Sequence, residues 1–182
     1  MSEMRDQLKM IATEQIRQKT LAAASFRELG KAAGIKSSSV HYHFKSRDAL
    51  LLELAKDYHK HFFNELQRRC RDISSPRQRL TILADVFCND HKQQMQCLCQ
   101  GYAAGIDSLN DDHRQVVQTF FTELQQWISN TLANARLLAL PRDELAKVVV
   151  SALEGALMID RGEAEQTRLQ ATKAWLATLS SL

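Results

Sequence analysis

Residues 25–50 constrain the fold of this chain more than any other segment, because they predict two short helices joined by a tight turn. Ser25 stands three positions before Glu28, the spacing of a capping box that starts a helix. That helix should end just before Gly34, since glycine readily adopts the left-handed conformation that reverses the chain. A second helix then begins near Ser37. The segment therefore predicts a compact helical pair.

The second helix of this pair has an apolar and a polar side. On a wheel of about 100° per residue, Val40 and Phe44 share one side, whereas Ser38, Tyr42 and Lys45 lie opposite. Such a pair is typical of a helix-turn-helix, which reads the major groove of DNA with its second helix. An ordinary helical hairpin with a solvated polar face has the same spacing, so the pattern alone leaves both interpretations open.

The polar side chains of the segment are of the kinds that bind DNA. Hydroxyl, imidazole and phenol groups exchange hydrogen bonds with base edges, and Lys and Arg attract phosphates. The predicted DNA-binding residues are Ser25, Arg27, Lys36, Ser37, Ser38, Ser39, His41, Tyr42, Lys45 and Arg47.

The charge distribution agrees with this interpretation. Residues 1–47 hold nine Lys and Arg against four Asp and Glu, a net charge of +5, although the whole chain carries only +3. The remaining 135 residues are therefore slightly acidic. Because a local excess of positive charge favours a polyanionic partner, we expect double-stranded DNA to be bound by the first 47 residues.

From Arg5 to about Leu54 the chain resembles the DNA-binding domain of the tetracycline-repressor (TetR) family of bacterial one-component regulators. The match runs without gaps over about 45 residues. It rests on Arg5, Leu8, Ile11, Ala12, Ile16, Ser25, Leu29, Ala33, Gly34, Ile35, Val40, Tyr42, His43, Phe44, Lys45, Ser46, Arg47, Ala49, Leu50 and Leu51.

Three residues depart from the family pattern. Members often carry glycine in place of Thr20, alanine in place of Gly30 and tyrosine in place of His41. Gly30 should weaken its helix by up to about 1 kcal/mol relative to alanine. The change at His41 leaves two neighbours, His41 and Tyr42, as alternatives for the family's phosphate-contacting aromatic residue.

Composition and periodicity extend the prediction to the whole chain. Only two prolines and six glycines interrupt apolar positions that keep helical spacing nearly throughout its 182 residues, so we expect an all-α fold of about nine helices. Residues 1–47 would form a three-helix helix-turn-helix DNA-binding domain. Residues 48–182 would form a helical ligand-binding and dimerisation domain, in which residues 48–71 are a connecting helix.

The last two predicted helices, residues 142–160 and 163–179, each carry an apolar stripe. Such stripes can close the core of a monomer. The resemblance instead implies a homodimer, in which these helices form a four-helix bundle with those of a second subunit. The predicted dimer residues are Val149, Ala152, Gly155, Ala156, Ile159, Leu169, Thr172, Trp175, Leu176 and Leu179.

The middle of the chain should bind a small-molecule effector of unknown identity. If residues 84–106 formed one helix, several sulfur-containing, imidazole and phenol side chains would share a face of it. The predicted effector residues are Phe87, Cys88, His91, Met95, Cys99, Tyr102, Phe120 and Trp127.

Three other interpretations of these residues are open: plain core packing, a metal site on Cys88 and His91, and a cysteine sensor of electrophiles or oxidants. We predict no metal and no cofactor. Cys97 and Cys99, two apart, point to opposite sides of a helix and make a poor chelate.

The sequence predicts no enzyme, because it lacks a phosphate-binding glycine loop, an HExxH frame and a nucleophile elbow. No apolar run is long enough to span a membrane, and the first ten residues have no signal-peptide core. We therefore expect a cytoplasmic DNA-binding repressor without a membrane partner. A helical ligand-binding or adaptor protein that no longer uses DNA is the alternative of a different class.

Overall fold

The computed structural model describes residues 3–133, 135, 138 and 140–179. Within them it has nine α-helices, two short 3₁₀ turns at Leu21–Ala23 and Ile106–Ser108, and no strand, which confirms the all-α prediction. The helices are α1 (Glu3–Gln18), α2 (Phe26–Ala33), α3 (Ser37–His43), α4 (Arg47–Cys70), α5 (Pro76–Lys92), α6 (Leu98–Ala104), α7 (Asp111–Thr131), α8 (Arg142–Asp160) and α9 (Thr167–Thr178).

The helices group into two compact units. The first takes the chain up to Lys60 together with Cys97–Val117, and the second takes His61–Gln96 together with the chain from Gln118 onward. The division falls inside α4 and inside α7. The domain boundary between residues 47 and 48 stays a prediction.

Local hydrogen bonds fix both ends of α2. The Ser25 hydroxyl accepts from the Glu28 amide at 3.2 Å, as the capping-box spacing predicts. At the other end Gly34 has φ of 70°, and the Ile35 amide donates to the Gly30 carbonyl at 2.9 Å. The bond from Ile35 satisfies a free carbonyl near the end of α2 and fixes the direction in which α3 leaves the turn.

Gly30 has a role that its helix propensity does not indicate. A Cβ added there would lie 2.9 Å from the Ile35 carbonyl oxygen and 3.1 Å from the Ser37 nitrogen. Such distances are shorter than van der Waals contact, so the start of α3 packs against α2 because residue 30 has no side chain. The expectation that Gly30 only weakens α2 was therefore incomplete.

In the first unit, two buried polar side chains bind the start of α4. Tyr102 of α6 donates from its hydroxyl to the Leu51 carbonyl at 2.8 Å. His113 of α7 places Nε2 at 3.0 Å from the Asp48 carbonyl oxygen, while its Nδ1 lies 2.6 Å from the Asn110 side-chain oxygen. The beginning of α4 is thus fixed against two helices that come later in the chain.

In the second unit, α5, α8 and α9 pack against one another. The fully buried Asp160 carboxylate, at the end of α8, accepts hydrogen bonds from the amides of Arg168 at 3.3 Å and Leu169 at 2.8 Å. It therefore caps α9, which begins at Thr167 rather than at Glu163 as the sequence predicted. His91 of α5 adds a contact of 2.9 Å from Nε2 to the Asp160 carbonyl oxygen.

Residues 84–106 do not form one helix. α5 ends at Lys92, Gln94 adopts a positive φ of 58°, and the Met95 amide donates back to the Asp90 carbonyl at 2.8 Å. α6 begins only at Leu98. The continuous face that would have brought Cys88 and Tyr102 together is therefore absent.

Candidate functional site

Helix α3 and the two residues after it have the two faces that the sequence predicts. Val40 is fully buried and Phe44 is 3% exposed, whereas Tyr42 is 88% exposed. Ser38 and Lys45 are exposed beside Tyr42. A short helix anchored by two apolar side chains thus presents a phenol, a hydroxyl and an ammonium group to solvent, which are suited to base edges and phosphates.

Two aromatic contacts fix the rings on this helix. The imidazole of His41 meets the ring of Phe26 edge-on, with centroids 4.6 Å apart, and His43 makes a similar contact with Tyr42 at 5.3 Å. The exposed His41 is therefore held against α2, whereas Tyr42 contacts only its neighbour His43 on α3 itself and extends outward at 88% exposure. This geometry favours Tyr42 over His41 as the more accessible aromatic side chain.

The remaining predicted DNA-binding residues lie around α3. Lys36, Ser37 and Ser39 are exposed, and the side chain of Arg27 on α2 is 88% exposed. Ser25 is half-buried because its oxygen caps α2. Most of the predicted set thus surrounds one helix, and Ser25 is held mainly by its local structural role.

Arg47 does not have the free side chain expected of a phosphate contact. Its guanidinium donates from Nε to the Ala24 carbonyl at 3.1 Å and from Nη2 to the Leu21 carbonyl at 2.5 Å. Both acceptors lie in the segment that joins α1 to α2. We therefore revise the expectation for Arg47: its observed contacts make it a link between the start of α4 and the helix-turn-helix.

A second set of contacts, which the sequence reasoning missed, joins α1 to the same elements. The Arg5 guanidinium lies 4.8 Å from the centre of the Phe44 ring and pairs with both carboxylate oxygens of Glu53 on α4, at 2.8 and 2.5 Å. The hydrogen bond from Arg5, together with Lys9, holds the pKa of Glu53 below its usual value. The spacing of Arg5 and Lys9, four residues apart, was the available signal, but it does not name the partner helix.

The predicted effector residues are divided between the two units. Cys99 and Tyr102 belong to the first unit, whereas Phe87, Cys88 and His91 are buried on α5 in the second. The half-buried Met95 lies in the segment after α5. Phe120 is fully buried, with its ring centre 5.0 Å from that of Phe62. A joint effector site formed by this set stays a prediction.

Trp127 alone among these predicted residues lines a cavity of about 840 Å³ in the second unit. The cavity lies between the end of α4, the segment that follows it, α5 and α7. Phe63 and Arg79 also line it, and the Arg79 guanidinium lies 5.5 Å from the centre of the Trp127 ring. Its volume is that of an ordinary small-molecule pocket.

The four cysteines are buried and have no disulfide partner. Burial raises the pKa of Cys70 and Cys88, and raises that of Cys97 well above its ordinary value. Because the thiolate is the reactive form, these thiols are poorly suited to reaction with electrophiles near neutral pH.

Neither a metal site nor a membrane span is found in the part of the chain that the structure describes. No group of three or more His, Cys, Asp or Glu residues in it could hold an ion. None of its helices has the length and apolar character needed to cross a bilayer.

Several predicted dimer residues face the core of their own subunit instead. Val149, Leu169 and Leu176 are fully buried, and Ala156 and Leu179 nearly so. We revise the predicted interface accordingly. The remaining ones are exposed or half-buried: Ala152, Gly155, Ile159, Thr172 and Trp175.

The exposed apolar side of α8 includes two residues that the sequence reasoning missed. Val148 is 44% and Met158 64% exposed, and Ile159 beside them is 52% exposed. A Cβ at Gly155, between them, would meet no atom within 4 Å. This outward face of α8, formed by Val148, Ala152, Gly155, Met158 and Ile159, is accessible to a partner helix.

Comparison with known families gives two matches along the chain. Residues 11–54 match the family model of bacterial regulatory proteins of the tetR family. Residues 77–174 match that of the C-terminal domain of LmrA/YxaF-like transcriptional regulators. The first match contains the helix-turn-helix, and the second contains α5 to α8 and most of α9.

Individual proteins agree with these matches. The chain is 27% identical over 107 residues to the HTH-type transcriptional repressor KstR2 of Mycolicibacterium smegmatis, a match that covers 58% of this chain and 52% of that repressor. The chain thus spans about half the length of this relative.

Solved structures share the fold. A TetR transcriptional regulator from Legionella pneumophila superposes with a TM-score of 0.88 at 22% identity, covering 98% of this chain and 97% of that one. One from Agrobacterium tumefaciens gives 0.88 at 20%, covering 96% of each. Because the C-terminal match alone spans more than half of the chain and the N-terminal match contains the helix-turn-helix, the protein belongs to the TetR family of bacterial transcriptional regulators.

Proposed function

We propose that the protein is a homodimeric repressor that binds operator DNA through α3 and leaves it when a small molecule binds in the second unit. The observation that carries the proposal is the outward face of α3, where Tyr42 extends into solvent from a helix anchored by Val40 and Phe44. Repression then follows from occupancy of the operator.

The side chains around α3 divide into two roles. Ser38 and Tyr42 have groups that donate to and accept from base edges, so they specify sequence. Lys45, Arg27 and Lys36 carry exposed positive charge and bind phosphates whatever the sequence. The dimer is needed because a single short helix reads too few bases, and two such helices reach successive major grooves about 34 Å apart.

The proposed subunit interface is the outward face of α8. Apolar side chains as exposed as those of Met158 and Ile159 lose contact with water when a second helix covers them. Gly155 and Ala152 allow that helix to approach closely. An arginine at Gly155 would place a charge in such an interface, so Gly155→Arg should shift the protein from dimer to monomer in sedimentation. Thr122→Arg, at an exposed position on α7, is the matched control and should leave the dimer intact.

Effector control would act through the equilibrium between two conformers. A ligand shifts that equilibrium only by its difference in affinity for the two. α4 would connect DNA binding with effector binding. It begins at Arg47, next to the helix-turn-helix, and Arg68 and Cys70 near its end line the cavity. The buried thiols disfavour the alternative in which cysteine oxidation is the signal.

Selection from a random pool of duplex DNA tests the proposal. The dimeric repressor predicts enrichment of an inverted repeat whose half-sites lie about one helical turn, or a multiple of it, apart. The selected duplex should lose affinity for the Lys45→Ala variant and keep it for Lys60→Ala, an exposed lysine further along α4. No enrichment by the wild-type protein would favour the adaptor without DNA binding.

A further inference from the structure

The cavity of the second unit is cationic. Of the nine described residues that line it, three are arginines, Arg68, Arg71 and Arg79, and none is acidic. Phe63, Ile73 and Trp127 supply apolar and aromatic surface. A cavity that combines positive charge with aromatic walls is suited to a ligand with an anionic end and an aromatic body.

Arg79 differs from the other arginines of the cavity in its surroundings. Arg68 binds Glu65 through two hydrogen bonds of 2.7 and 2.8 Å, so its charge is already partly neutralised. Arg79 is half-buried, and its Nε is a buried donor with no hydrogen-bond acceptor among the described residues. No carboxylate of the described chain forms an ion pair with it.

The neighbours of Arg79 do not replace an anion. Its guanidinium lies over the face of the Trp127 ring, and such a contact uses none of the in-plane N–H donors. It also lies near the Cys70 thiol, whose pKa burial raises and Arg79 lowers. A thiol is a weak acceptor. A buried cationic donor without a strong acceptor is unfavourable, and an oxyanion in the cavity would supply one.

We propose that this cavity binds an aromatic organic anion, a carboxylate or sulfonate, with its charged group on Arg79 and its ring system against Trp127 and Phe63. This proposal rests on the proposed function in one respect: the aromatic anion would be the class of effector that releases the DNA. Recognition depends on the fork of donors that arginine presents to a planar or tetrahedral oxyanion.

A pair of fluorescent probes that differ in one charge tests the site. 8-Anilinonaphthalene-1-sulfonate carries a sulfonate, and N-phenyl-1-naphthylamine has the same ring system without it. Arg79→Met keeps the aliphatic stem and removes the charge, so it should weaken binding of the sulfonate at least about tenfold, equivalent to about 1.4 kcal/mol. The neutral probe should bind both proteins equally. Arg77→Met, an exposed arginine two positions earlier on α5, should bind both probes as the wild type does.

Two outcomes would overturn the proposal. One is an Arg79→Met protein that binds the sulfonate as tightly as the wild type. The other is an equal loss of the sulfonate and of the neutral probe, which would indicate a changed cavity shape rather than a lost charge. Arg79→Lys retains a positive charge and should keep more sulfonate affinity than Arg79→Met, and thermal melting of each variant checks that the fold is intact.

A separate measurement addresses the effector role. Titration of the sulfonate into the complex of the wild-type protein with its selected duplex should release DNA, and this release should need Arg79. Sulfonate binding that depends on Arg79 but leaves DNA affinity unchanged would establish the anion site and contradict its part in the proposed regulation.

Discussion

Replacement of Arg47 separates a structural contact from a phosphate contact. In the structure its guanidinium bridges the Ala24 and Leu21 carbonyls. A hydrogen bond from a charged donor contributes about 1.5–3 kcal/mol when buried, and water at this half-buried site reduces that contribution. We therefore expect Arg47→Met to cost about 1–2 kcal/mol in the free energy of unfolding. That corresponds to a melting temperature lower by roughly 2–8 °C.

The salt dependence of DNA binding gives the second readout. A residue that neutralises a phosphate contributes about 0.9 to the slope of log affinity against log salt. Lys45→Met should lower that slope by this amount for each subunit and leave the melting temperature unchanged. Arg47→Met should weaken DNA binding without this change of slope, because α3 is misplaced rather than discharged.

Arg47→Lys completes the comparison. Lysine keeps the charge but lacks the planar fork that reaches two carbonyls, so this variant should be destabilised nearly as much as Arg47→Met. An Arg47→Met protein with a normal melting temperature and a slope as low as that of Lys45→Met would show instead that Arg47 contacts a phosphate. Thermal melting and fluorescence anisotropy over a salt series suffice for all three variants.

Three further predictions concern stability. Gly30→Ala should lower the melting temperature, because the added methyl group would clash with the Ile35 carbonyl. Overpacking of this kind costs about 1–3 kcal/mol, which outweighs the gain in helix propensity of about 1 kcal/mol. A higher melting temperature would contradict the close packing. Glu53→Gln should destabilise the protein at pH 7, and its difference from the wild type should disappear in acid. Because Arg5 lowers the pKa of Glu53 in the folded state, the ion pair stabilises the fold above the ordinary glutamate pKa, and this stabilisation is lost as the pH falls through the lowered pKa. A difference in stability that persisted unchanged in acid would exclude the ion pair as its source. Tyr102→Phe should cost about 1 kcal/mol by thermal melting, and no loss would show that its buried hydroxyl is not needed.

The features that the sequence predicted well are those encoded by neighbouring residues. Ser25 and Gly34 each act within a turn of their own position, as cap and reversal. The two faces of α3 follow from its period, and burial of Val40 confirms them. Where a few adjacent residues decide the conformation, their spacing in the sequence is sufficient to predict it.

Periodicity failed where it cannot distinguish one apolar surface from another. α8 is apolar on most sides, so its stripe through Val149 was assigned to a partner although it fills the subunit's own core. The outward side of α8, which includes the exposed Met158, is also apolar, so the residue pattern does not separate it from the buried side. The predicted face over residues 84–106 failed for a local reason, since Gln94 turns into the left-handed region and ends the helical path.

Contacts between distant positions were not available from one sequence. Arg47 and Ala24 are 23 residues apart, and Arg79 meets Trp127 across 48 positions. Nothing in the spacing of an arginine indicates whether its donors face a carbonyl, a ring or a cavity. The structure supplies that information, because it shows Lys45 exposed, Arg47 bonded to two carbonyls and Arg79 lining a cavity.

The affinity of the Tyr42→Ala variant for the selected duplex tests whether α3 reads the operator, with Met10→Ala as the control. Both side chains are large and exposed in the first unit, Tyr42 on α3 and Met10 on α1 at 67%. If α3 reads the operator, Tyr42→Ala should bind at least about tenfold more weakly, since a base contact is worth about 1–3 kcal/mol. Met10→Ala should bind as the wild type does. Equal affinity of the wild-type protein and both variants would contradict the account.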